Sequence, residues 1–86
     1  MTDSGQTPVT RVTLRYASAA DADALRRLAD LDSSLAPEGP ALVAEVDGRL
    51  RAALPLDGRD PIADPFHQGV ELIELLRVRA AQLAVG

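Results

Sequence analysis

The chain has 86 residues, 13 acidic against 9 basic side chains, a formal net charge of −4 and no cysteine. A disulfide framework, a thiolate nucleophile and a cysteine zinc site are thereby excluded, and nucleic acid is not an expected partner, because a phosphate footprint needs clustered positive charge. The length allows one domain that hides only roughly 60% of its unfolded surface, and with 2% aromatic residues its core must come from Leu, Val, Ile and Ala.

Residues 1–8, Met1 to Pro8, are polar, contain Gly5 and Pro8, and are expected to fray. Residues 9–86 then form a single domain. The N-terminus lacks the basic and apolar regions of a signal peptide, and no uncharged apolar run approaches the roughly 20 residues of a membrane span. The expectation is a cytoplasmic protein with no membrane partner.

"VTRVTLRYAS" alternates, with Val12, Leu14 and Tyr16 on one side and Arg11, Thr13 and Arg15 on the other, the pattern of a strand with one better-buried face. A packed Tyr16 at its end needs no catalytic purpose. "SAADADALRRLADLDSSL" changes to helical spacing, with Ser18 and Asp21 placed as a capping box. Leu25, Leu28, Leu31 and Leu35 then cluster with Ala24 on one face, and Asp23 can pair with Arg27 four residues on. "APEGP" breaks the helix with two prolines and a glycine.

"ALVAEVDGRLRAALPL" contains two β-type runs around Asp47-Gly48, a pair that tolerates the positive φ angles of a tight hairpin. A two-residue turn pairs Val46 with Arg49 and Ala44 with Arg51, leaving Val43, Leu50, Ala52 and Leu54 on the opposite face with Glu45 near the turn; a bulge would regroup them. Both faces are partly apolar, which suits a sheet covered on both sides. A second turn at Asp57-Gly58 leads to a short strand around Pro61 to Ala63, at an edge because Pro61 cannot donate to a ladder.

Val70 to Val85 reads as a helix with Leu72, Ile73, Leu76, Ala80 and Leu83 on one wide stripe. Val70, Val78, Ala81 and Val85 lie among the polar residues of the other side, and Leu75 sits on the border. The helix is apolar over more of its circumference than one small sheet can cover. Leu75, Val78, Ala81 and Val85 are therefore candidate contacts with a partner chain, while Arg77 is expected to pair with Glu74. The order strand, helix, strand, strand, short strand, helix predicts an α/β (α+β) fold with four mainly antiparallel strands and two main helices.

The pieces "VTLRYASAADADALRRLADL" and "ALVAEVDGRLRAALPL" resemble the opening of a GNAT-superfamily N-acetyltransferase, in which a first strand ending in an "R-x-A-x-x-x-D" segment leads into the first helix and a Val-Ala-Glu…Asp-Gly hairpin follows. The resemblance spans Val9 to about Ala63 and implies an antiparallel sheet flanked by helices. In that family the fourth strand is followed by a "Q/R-x-x-G-x-G/A" loop whose amides hold the pyrophosphate of acetyl-CoA. Here the equivalent place reads "ADPFHQGVEL", with one glycine, no arginine and Asp64 close by, and an unpaired carboxylate would repel a diphosphate. The chain also ends after the next helix. The resemblance thus implies a GNAT-like half fold without ordinary acetyl transfer.

Asp64 and His67 lie three apart and could share a metal or act as an acid–base pair. With no second His and no Cys to complete a site, a structural role is the stronger reading. Asp64-Pro65 could open the last helix, but that start places Gly69 inside it at a cost of about 1 kcal/mol, so a start at Gly69 is preferred. Phe66 is then expected to plug the core between edge strand and helix. Glu45 could serve as a general base from a central strand, as GNAT enzymes often use, although a salt bridge suffices to explain it.

These readings favour a non-catalytic module without a cofactor, forming a homodimer or binding another protein. The alternative is an acyltransferase or acyl-CoA binder whose cleft a second subunit completes.

Overall fold

A computed structural model of the protein describes residues 11–66 and 69–85. Strand β1 (Val12–Tyr16) leads through a 3₁₀ turn (Ala19–Asp21) into helix α1 (Ala22–Leu31). Strands β2 (Ala41–Val46), β3 (Arg49–Pro55) and β4 (Ile62–Ala63) follow, then helix α2 (Gly69–Val85). The strands form one sheet in the order β1-β2-β3-β4, with every neighbouring pair antiparallel. The fold is α+β, with the expected element order. The polar segment at residues 1–8 lies outside the described residues.

The Asp47-Gly48 turn has φ of 53° and 85° at its two central residues, the left-handed pair that matches the right-handed twist of the joined strands. Its ends are tied to β1, since the Asp47 amide donates to the Arg11 carbonyl at 2.8 Å and the Arg11 amide donates to the Asp47 carboxylate at 3.0 Å. Beyond the turn the register departs from the regular ladder. Val46 opposes Arg49 and Glu45 opposes Leu50, but Ala44 opposes Ala52, not Arg51. Arg51 is the extra residue of a β-bulge, and one added residue inverts the alternation of everything after it. Val43, Leu50 and Ala53 therefore face α1, whereas Ala52 and Leu54 face α2, which splits the face expected from regular pairing.

Each face has its own core. Leu72 and Leu76 of α2 pack on Leu42, Ala44, Ala52, Leu54 and Ala63. Leu25, Leu28 and Ala29 of α1 pack on Val43, Ala53 and Ile62. Leu31 and Leu35 do not join them: α1 stops at Leu31, Ser33 turns the chain with φ of 52°, and Leu35 is 86% exposed. Asp23 pairs with Arg26, one position short of the expected Arg27. Among the described residues Glu74 and Arg77 form no ion pair; on that helix Arg79 donates to Gln82 instead, at 3.3 Å.

Strand β4 is an edge of two residues, pairing Ala63 with Ala52 and Ile62 with Ala53. Helix α2 begins at Gly69, where a Cβ would stand 2.7 Å from the Cβ of Ala63 and 3.3 Å from the Asp64 carbonyl oxygen. Only glycine lets the helix start this close to the strand it has just left. The helix then rests on β2, β3 and β4, while Val12 and Tyr16 of β1 stay exposed. Tyr16 is thus not the packed residue its position predicts.

Candidate functional site

Asp64 leaves β4 buried, with 2% of its surface exposed. Its carboxylate accepts from Arg51 Nη1 at 2.8 Å and from the Phe66 amide at 2.9 Å, and its own amide donates to the Arg51 carbonyl at 2.8 Å. The second bond closes an Asx turn over Pro65, a local reason for Asp at this position. The expected unpaired carboxylate is therefore corrected. Its counter-charge comes from the bulge of β3, where the extra residue keeps the Arg51 side chain beside the buried acid. Phe66 is also corrected, since it is 78% exposed and plugs nothing. His67 lies outside the described residues. Among the described residues no group of three His, Asp or Glu side chains is arranged to hold a metal ion.

Glu45 is engaged by Arg15, at 2.8 Å from its Nη2. Arg15 stands on β1 opposite Val43, two residues along β2 from Glu45, so the two side chains meet diagonally on the α1 face. The same guanidinium grips Asp21 with two parallel bonds of 2.8 and 2.9 Å and donates to the Tyr16 carbonyl at 3.1 Å. Asp21 also accepts the Ser18 amide at 2.7 Å and the Ser18 hydroxyl at 3.3 Å. The Arg15 fork, reinforced by the Ser18 amide, holds the Asp21 carboxyl well below the usual carboxylate range. Asp21 first, and Glu45 after it, push Arg15 above its already high value.

This cluster locks the start of α1 to the β1–β2 ladder. Glu45, as a general base, would have to leave a charge-assisted bond. The segment Arg15-Tyr16-Ala17-Ser18-Ala19-Ala20-Asp21 carried the signal for this cluster, because a strand-end arginine and a helix-cap acid at that spacing meet across the strand-to-helix turn.

On α2, Leu72 and Leu76 are buried while Leu75, Val78 and Ala81 are exposed, so three of the four candidate interface residues form a band facing away from the sheet. The side chain of Val85 lies outside the described residues. Val70 is exposed as well, at 74%. On the other side of the molecule an open groove of about 440 Å³ lies between α1 and the β2–β3 hairpin, lined by Arg27, Leu28, Leu31, Leu50, Arg51 and Asp64. No sequence signal marked this groove, because residues of α1 and β3 meet there only through the tertiary fold.

No helix among the described residues is long and apolar enough to cross a membrane. In comparisons with protein-family models, with curated proteins and with solved structures, nothing matches the chain.

Proposed function

We propose that the protein is a non-catalytic, GNAT-like module of the cytoplasm that assembles through the outer face of α2, with a second copy of the chain as its first partner and another protein as the variant reading. The observation that carries this is the band Leu75–Val78–Ala81, with Val78 57% exposed on a helix whose inner stripe already fills the core. Scattered exposed apolar residues need no explanation, but several on successive turns of one helix favour a covering partner. A core of small aliphatic side chains gains from such burial. Neither a metal nor acetyl-CoA enters this reading. The acyltransferase alternative has less support, since Glu45 is bonded to Arg15 and Asp64 to Arg51.

Sedimentation velocity on the full chain and on a Leu75→Gln/Val78→Glu variant tests the assembly. The expected result is a dimer for the parent and a monomer of unchanged circular dichroism for the variant. A parent chain that stays monomeric at millimolar concentration would defeat the homodimer.

A further inference from the structure

Strand β1 is one edge of the sheet. The Asp47 amide donates to the Arg11 carbonyl and the Ala17 amide to the Ala41 carbonyl, both at 2.8 Å, which sets the phase of the β1–β2 ladder. Antiparallel pairing alternates, so Thr13 and Arg15 also bond inward to β2, and the N–H and C=O groups of Val12, Leu14 and Tyr16 point outward. Among the described residues only the Tyr16 carbonyl has a partner there, the Arg15 guanidinium at 3.1 Å. Two donor–acceptor pairs and one further donor are thus open. The side chains of the same three residues share the α2 face, where Leu14 packs on the core and Val12 and Tyr16 are exposed.

The opposite edge is blunted. Strand β4 has two residues and stands between Pro61 and Pro65, and shortness and proline both discourage pairing. Strand β1 has five residues and no proline. Arg15, the charge placed to guard it, is turned onto Asp21 and Glu45. The helices rest elsewhere, α1 on β3 and β4, and α2 on β2, β3 and β4.

We propose that the β1 edge binds an extended segment of another protein as an added strand, with apolar side chains beside Val12, Leu14 and Tyr16 and a carboxylate on the side of Arg11. The open backbone groups dictate the extended shape. Arg11 makes no ion pair among the described residues and supplies the charge preference. A second copy of β1 is the poorer occupant. Pairing Leu14 with its own counterpart sets Arg11 diagonal to the Arg15 of that copy, and the neighbouring registers put arginine directly opposite arginine. The edge is a different surface from the outer band of α2, so the strand site does not depend on assembly there.

Amide hydrogen exchange on the full-length protein, without and with the peptide acetyl-Val-Glu-Val-Thr-Val-Glu-Val-amide, tests this. In the free protein the amides of Val12, Leu14 and Tyr16 should exchange at least about tenfold faster than those of Thr13 and Arg15, and the peptide should slow them by at least about tenfold. The same peptide N-methylated at its valines cannot complete the ladder and should bind at least about tenfold more weakly. A peptide with Lys in place of Glu should also bind more weakly, and Arg11→Gln should narrow that preference. Leu75→Gln/Val78→Glu should bind the peptide as the parent does. Equal binding of the N-methylated peptide, or no binding at millimolar peptide, would overturn the strand site. Protection of Val12 and Leu14 in the free protein would overturn it too, by showing the edge already covered, and protection that fades on dilution would assign it to a second copy.

Discussion

Asp21 ends the 3₁₀ turn before α1 and is also the acid that Arg15 grips, so a single side chain sets both where the helix begins and where it sits on the sheet. Its carboxyl titrates far below the value of about 3.9 expected in the unfolded chain. A depressed folded-state pKa contributes stability that is complete above the unfolded value and disappears as pH falls toward the folded one. The parent chain should therefore lose stability on acidification from about pH 5 downward. Arg15 adds no slope, since its shift carries it further above any working pH. Asp21→Asn keeps the shape but loses the charge, and should cost about 2–3 kcal/mol at pH 7 and flatten the acid limb. Urea unfolding at pH 7 and at points between about pH 5 and about pH 2 checks both, and equal acid slopes in parent and variant would refute the assignment.

At the scale of elements, the two local irregularities are a bulge and a glycine, and each has a steric or topological cause. The bulge at Arg51 sends Ala52 and Leu54 to the α2 face while keeping Leu50 on the α1 face, so each helix meets a continuous apolar surface. It also brings Arg51 to Asp64. Gly69 opens α2 at a distance from Ala63 that no Cβ could share. Gly69 opens the helix, so the roughly 1 kcal/mol cost of an interior glycine does not apply to it, whereas pressing a Cβ against the Ala63 side chain and the Asp64 carbonyl costs about 1–3 kcal/mol. The Gly69→Ala variant is therefore expected to be less stable by about 1–2 kcal/mol in urea, and a stabilised variant would show that α2 can shift away from β4 freely. The Asp-Gly hairpin and the helix start at Gly69 were legible because each follows from a short local pattern, whereas the expected faces of β1 and β3 were not, since Val12 and Tyr16 are exposed and the bulge splits Leu50 from Ala52 and Leu54. Leu31 and Leu35 were misassigned because helical periodicity says nothing about where a helix stops.

For the whole molecule, the sheet is the middle of three layers, and the side chains that fill the two cores are leucines, alanines and a few β-branched residues. Such a small domain has little stability to spare. Burial of α2's outer band in a second copy would add to it by mass action. The melting temperature of the parent should accordingly rise with protein concentration, while that of Leu75→Gln/Val78→Glu should not. Identical, concentration-independent melting of the two would count against assembly on α2.

By itself the sequence determined the order and type of the elements, the hairpin turn, the edge character of β4 and the excess apolar surface of α2, because these depend on neighbours within a few residues. Only the tertiary structure decided that Arg15 would hold Asp21 and Glu45 together and that Arg51 would answer Asp64. The pairs Arg15–Glu45 and Arg51–Asp64 lie 30 and 13 residues apart in the chain, and it is the strand register that brings them together. One bulged residue resets that register, and no local pattern announces it.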